Sequence, residues 1–258
     1  MTSGATGIRL QGVTKTFHAG TVNEVRPLES VDLEVAEGSF LIILGGNGSG
    51  KSTLLNAIAG SCPIDEGRIE IGGQDVTQAP EHQRSKCVGR VFQNPFAGTA
   101  PSMTVAENLA LAMQRNHHFG FGWSTSAQRR KTFLERVEAL NMGLEDRLDA
   151  PIGSLSGGQR QALTLLMATW TRPKVLLLDE HTAALDPGSA ARILALTENM
   201  VLEHRLTTLM VTHSIHQALN LGDRIILMDR GRITQDFDGN QKRTLKAPDL
   251  FKLFGIEA

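Results

Sequence analysis

The sequence predicts an α/β fold: a mainly parallel sheet covered by helices on both faces, with an antiparallel β layer before it and a helical insert within it. Short apolar runs at 40–44, 175–178 and 208–211 have buried-strand character, and each leads into a helical pattern. Ahead of them, two longer stretches at 8–17 and 28–35 read as strands of a separate layer. The middle of the chain, about 104–142, turns to helical spacing. With 258 residues the chain can bury one substantial core and carry a smaller subdomain.

Each element has a local reason. The 40–44 strand runs into glycines and then into a helix that begins at Lys51. Thr104-Val105-Ala106-Glu107 is a capping-box start, and 128–140 carries helix formers at apolar spacing. Residues 225–228 and 232–234 form a closing hairpin around Arg230-Gly231. The composition is that of a globular protein, 41% hydrophobic and 21% charged. A net charge of −1, from 26 basic and 27 acidic residues, gives no electrostatic ground for a nucleic-acid partner or a polybasic anchor. The longest aliphatic runs, 41–44 and 175–178, are too short to cross a bilayer. The first residues are neither basic nor apolar and predict no signal peptide, while Cys62 and Cys87 lack metal or redox spacing. The cytoplasm is the expected compartment.

Gly45-Gly46-Asn47-Gly48-Ser49-Gly50-Lys51-Ser52 fits the Gly-x-x-x-x-Gly-Lys-Ser/Thr pattern, between an apolar strand and the helix that continues through Thr53. Glycines let successive backbone N–H groups curl around phosphate oxygens, and the helix N-terminus adds partial positive charge. Lys51 would reach the β- and γ-phosphates, and Ser52 would offer a hydroxyl to Mg²⁺. The motif by itself leaves kinases, GTPases and many ATPases open.

Further segments narrow the class. Leu155-Ser156-Gly157-Gly158-Gln159-Arg160-Gln161 matches the LSGGQ motif, with Ser156 placed 105 residues after Lys51. Val175 to Asp179-Glu180 matches a Walker B strand with an adjacent acid. Phe92-Gln93-Asn94-Pro95 matches a Q-loop, Ala183-Ala184-Leu185-Asp186 a D-loop, and Val211-Thr212-His213-Ser214 an H-loop. These five motifs occur in the family's order along the chain and span nearly all of it, and together they resemble the ATP-binding subunits of ABC transporters.

The resemblance implies a RecA-like P-loop ATPase core with an N-terminal antiparallel β layer and an inserted α-helical subdomain. The core's first part would span 1–94, the helical subdomain with LSGGQ 95–165, and the core's second part 166–258. ATP and Mg²⁺ are the implied ligands. Glu180, one residue beyond the strand-end Asp179, would act as general base, with His213 and Gln93 fixing the attacking water. Ser52, Gln93 and Asp179 would face Mg²⁺. Phe17, 34 residues before Lys51, is the candidate adenine platform; its alternative is a core position in the first strand. Ser156, Gly157, Gly158, Gln159 and Asp186 would cap the ATP of a second copy, in a head-to-tail two-fold dimer. His213 and His216 lack a third metal ligand at sensible spacing.

The implied partner is an integral membrane permease, with a periplasmic or lipoprotein substrate-binding protein as a further component, on the cytoplasmic face of the inner membrane. The loop after Gln93, Phe96 to Met103, and the cluster Phe119, Phe121 and Trp123 beyond His117 and His118 would receive a short permease helix; packing within the insert is the alternative. His181 stands where many relatives have proline and Ala183 where serine is usual; neither change removes a metal ligand or base. Residues 179–187, 161–167 and 20–26 resemble a bacterial subgroup of uptake ATPases, some linked with aromatic amino acids. A scaffold ATPase of iron–sulfur biogenesis type remains compatible with these motifs. Chromosome-maintenance ATPases do not fit, since only 62 residues separate Gln93 from Ser156, with no heptad arms between. Nor do translation-factor ABC proteins, which usually carry two ATPase domains in one chain.

Overall fold

The structure, a computed structural model, describes residues 5–116 and 127–253. Two sheets organise it. β1 (Thr6–Phe17) pairs antiparallel with β2 (Val25–Ala36) on one side and with β4 (Glu66–Ile71) on the other, and β5 (Gln74–Asp75) closes the edge. The second sheet has the order β10-β9-β3-β8-β7-β6, from β3 (Phe40–Gly45), β6 (Val88–Val91), β7 (Val175–Asp179), β8 (Thr207–Val211), β9 (Arg224–Asp229) and β10 (Arg232–Phe237). All its pairings are parallel except that of β9 with β10. The expected closing hairpin is this antiparallel pair.

Strand β3 shows why the apolar runs are continuous rather than alternating. Leu41 and Ile43 pack on one face, with β1, β2 and α1 (Lys51–Ala59), while Phe40, Ile42 and Leu44 pack on the other. There they meet residues of α5 (Gly157–Thr169), α6 (Pro187–His204), α7 (Ile215–Asn220) and α9 (Ala247–Leu253). Each such Leu or Ile contributes about 1.5–3 kcal/mol by leaving water. A separate cluster joins α3 (Val105–Met113), α4 (Ala127–Glu138) and one side of α5, with Phe133 edge-on to Trp170 at 5.6 Å. Thr104 caps α3 as its sequence predicts: its Oγ1 accepts from Glu107 N, and Glu107 Oε2 accepts from Thr104 N. Helix α5 belongs to both bodies, since Leu163 and Leu166 pack in the helical cluster and Leu165 and Ala168 on the sheet.

The P-loop helix α1 is fastened at its far end by an arginine. Arg84, in α2 (Glu81–Arg84), is buried without a carboxylate and donates to the carbonyls of Ala57, Ile58, Ala79 and Thr77. It adds charged donors to the carbonyls of the last turn of α1, the charge placement a helix C-terminus favours. α8 (Gly239–Thr244) brings Lys242 onto the Leu221 and Gly222 carbonyls in the same way. No helix among the described residues is long and apolar enough to cross a membrane.

Candidate active site

The parallel strands end together, and the turns beyond them enclose a cleft of about 350 Å³. Residues 47–53 form its floor, Phe17, Val25 and Pro27 one wall, and Glu180 and His213 the opposite end. β3 delivers the glycine loop. Gly50 has φ +102°, and a Cβ there would stand 2.0 Å from the Pro27 carbonyl oxygen. Gly46 differs: nothing lies within 4 Å of where its Cβ would be, and its backbone needs no left-handed conformation. The fold leaves that space open, so a side chain at 46 would meet nothing of the protein.

Lys51 is buried, and its Nζ donates to the Gly45 and Gly46 carbonyls at 2.8 Å each. Burial pushes its pKa down, against the opposing pull of Glu180 and Asp179. Ser52 Oγ and Asp179 Oδ1 stand 3.3 Å apart, bringing together two hard oxygen ligands from α1 and β7. That donor set fits Mg²⁺. Gln93 is exposed, does not line the cleft, and no hydrogen bond joins it to Ser52, Asp179 or Glu180 among the described residues.

Glu180 has φ +45°, a left-handed backbone that a non-glycine residue adopts at a cost of about 1–2 kcal/mol. Its N–H is tied to the Val211 carbonyl at 3.1 Å, so β8 holds the turn that aims the carboxylate into the cleft. Glu180 Oε1 lies 2.5 Å from His213 Nε2. His216 is elsewhere engaged, with Asn220, and no His/Cys/Asp/Glu metal cluster occurs among the described residues. Phe17 is 39% exposed on the cleft wall, not in the core.

Ser156 and Gln159 cap α5 reciprocally: Ser156 Oγ accepts from Gln159 N, and Gln159 Oε1 accepts from Ser156 N. Gln159 Nε2 reaches the Met142 carbonyl. Gly157 is exposed, whereas Gly158 is buried, with its Cα so close to Ser189 that a Cβ would meet that hydroxyl at 2.9 Å. Asp186 caps α6 by accepting from Ser189 N, and the Ser189 hydroxyl together with that N–H holds its carboxyl below the usual range. None of these five residues lines the cleft of its own chain. Phe96 is 44% exposed, with one ring face on the Arg160 guanidinium at 3.6 Å. His117, His118, Phe119, Phe121 and Trp123 lie outside the described residues.

Several contributors carried no motif. Val25 and Pro27 line the wall, Arg90 stands 3.6 Å from Asp179, and buried His181 holds Thr197 Oγ1 through Nε2 at 3.1 Å. Thr212, Gln217 and Thr182 form a chain of hydrogen bonds behind His213. A composition signal for Arg90 existed: a charged residue between the valines of a buried strand.

The ABC transporter family matches residues 28–183. The tyrosine transport ATP-binding protein of Clostridioides difficile (strain R20291) is 39% identical over 96% of this chain and 98% of its own. The spermidine/putrescine import ATP-binding protein PotA of Thermobifida fusca (strain YX) is 36% identical over 88% of this chain and 56% of its own. An ATP-binding cassette solved as a dimer in a post-hydrolysis state with ADP and Pi superposes with a TM-score of 0.78 at 30% identity, over 90% of this chain and 98% of that one. A P-loop cleft closed by a strand-end acid and histidine, on a chain with these relatives, has one family reading: the chain belongs to the ATP-binding, ATP-hydrolysing cassettes of ABC transporters.

Proposed function

We propose that this chain hydrolyses ATP in a two-fold dimer and so drives solute uptake through a separate integral membrane permease. The observation that carries the reading is the meeting of Lys51, the Ser52–Asp179 oxygen pair and the Glu180–His213 pair around one cleft. Phe17 stacks on adenine; the amides of 45–50 and Lys51 hold the phosphates, with Thr53 in the first turn. Ser52 and Asp179 would hold Mg²⁺, which supplies charge neutralisation at the phosphates when bound. Glu180 takes a proton from the water that attacks the γ-phosphorus, and His213 orients that carboxylate and donates to the γ-phosphate. Gln93, outside the cleft in this conformation, enters as the dimer closes.

The partner copy supplies Ser156, Gly157, Gly158, Gln159 and Asp186 to the same ATP. The permease docks beside Phe96 on the loop after Gln93, which places the subunit peripherally on the cytoplasmic face of the membrane. A substrate-binding protein completes an uptake system. The likeness to the tyrosine transport protein supports an aromatic amino acid as the solute, which the permease selects. Glu180→Gln is expected to leave ATP affinity nearly unchanged while lowering turnover by about 10²-fold or more. Steady-state hydrolysis alongside nucleotide titration tests this, and near-normal turnover removes Glu180 from the role.

A further inference from the structure

Arg90 on β6 stands between the nucleotide cleft and the loop after Gln93. Its Nη2 is 3.6 Å from Asp179 Oδ2, the oxygen not engaged with Ser52. Its guanidinium stacks 4.4 Å from the Phe92 ring centroid, and Nη1 donates to Ser61 Oγ at 3.3 Å. Nε is buried with no partner. This is not the saturated geometry of a structural arginine. Arg84 shows what that looks like, with four carbonyl contacts between 2.7 and 3.1 Å. Arg90 is held by stacking and long contacts, with a donor unspent.

Its surroundings offer a second position. Arg90, Phe92 and Glu81 line a groove of about 140 Å³, together with Gly98 and Arg115. Burial weighs most on the Arg90 charge; Glu81, in the same groove, attracts it less strongly than Asp179 does. A Cβ on Gly98 would touch the Phe92 ring at 3.4 Å, and the Phe92 carbonyl accepts from Gln161 Nε2 on α5 at 3.3 Å. A displacement of Arg90 therefore bears on the residue that precedes Gln93.

We infer that Arg90 is a positioning residue that stands in for a divalent cation at Asp179 and yields that carboxylate, turning toward Glu81, when the cation binds. The inference rests on the reading of Ser52 and Asp179 as Mg²⁺ ligands. A guanidinium keeps its charge at every accessible pH, so it and a divalent cation repel when they share one carboxylate. The ion with two charges and two oxygen partners takes the carboxylate, and Arg90 takes its other acid. Arrival of the metal is thereby felt at Phe92 and in the groove.

The test is equilibrium binding of a non-hydrolysable ATP analogue to the full chain, titrated with Mg²⁺. Arg90→Met is expected to lower the Mg²⁺ concentration at the midpoint about tenfold, the effect of removing one neighbouring positive charge under solvent-like screening. Arg90→Lys, which keeps the charge, should stay within about twofold of the parent. In EDTA, Arg90→Met should bind the analogue more weakly, because Asp179 then faces the phosphates uncompensated. Glu81→Gln should raise the midpoint about threefold by removing the second position. A merely structural role would weaken binding with and without Mg²⁺ and leave the midpoint in place. An unchanged or raised midpoint in Arg90→Met overturns the inference, and an unchanged one in Glu81→Gln overturns the groove-side position. Asp179→Asn separates the levels. If it raises the midpoint while Arg90→Met does not lower it, only this inference fails; if it does not, the metal reading fails with it.

Discussion

The P-loop cleft and the segment 156–159 differ in how much of their surroundings their own chain supplies. Around the cleft the chain brings floor, wall and acid together from β1, β2, β3, α1, β7 and β8. Ser156 and Gln159 are as well ordered, locked in a reciprocal cap, yet they face no cleft of their own. On the proposed dimer reading, a capped helix N-terminus that faces no cleft of its own chain is half of a site. On that reading catalytic competence belongs to two chains, and each chain holds its half in place with its own hydrogen bonds.

The strongest way to break this comparison is to damage the two halves on different molecules. Lys51→Ala and Ser156→Ala should each lower hydrolysis about 10²–10³-fold, by removing one group aimed at the phosphates. Mixed in equal amounts, they should regain about a quarter of the parent's composite sites, because each mixed dimer keeps one intact pairing. Hydrolysis by mixing, measured against each variant alone, checks this; a full rate from either variant by itself defeats the two-chain site.

The joint between the halves can be tested by pH. His181 lies between Glu180 and the Asp186 cap, wholly buried, and burial pushes its pKa down to about 4. Thr197 Oγ1 already donates to the Ile193 carbonyl, so the imidazole donates through Nε2, and its buried Nδ1 has no acceptor for a second proton. Unfolded, it titrates near the ordinary histidine value. The unfolded state therefore binds more protons between these limits, and stability present above pH 6.5 is lost as the pH falls toward 4, by about 3 kcal/mol. Thermal melts across that window should show the loss, and His181→Gln should flatten the profile. A profile unchanged by the substitution excludes His181 as its source.

The smallest expected effect concerns the outer face of the helical region. Phe96→Asp should lower transport by the complete assembly about tenfold, while ATPase activity of the isolated chain stays within about twofold. Arg160 would retain an attractive partner, so the loop keeps its anchor as the apolar ring is lost. Uptake at parental levels places the docking surface elsewhere.

The legibility of these features in the sequence followed from their chemistry. β3, β7 and β8 were readable because strands covered on both faces carry near-continuous apolar runs. β4, β5 and β6 were not. β4 opens with exposed Glu66, Gly67 and Arg68, and β6 places glycine and arginine among four residues. Gly89 looks like a strand breaker, yet a Cβ there would come within 2.4 Å of the Ala168 carbonyl, so α5 can approach β6 only over glycine. The motifs located Lys51, Ser52, Glu180 and His213 because phosphate chemistry fixes residue types at fixed spacing. Arg90 is signalled only as a charge between the valines of β6; its contact with Asp179, like that of His181 with Thr197, follows from packing between distant segments, which no local pattern encodes.

Two glycines of one loop have different histories written into them. Gly50 is demanded by the protein's own backbone, since the Pro27 carbonyl of β2 occupies the place of any side chain. Gly46 is demanded by nothing in the protein at all. A descendant is free to place a side chain at the second and not at the first. Variation at 46 leaves the loop's shape untouched, whereas any side chain at 50 would force the P-loop and β2 apart.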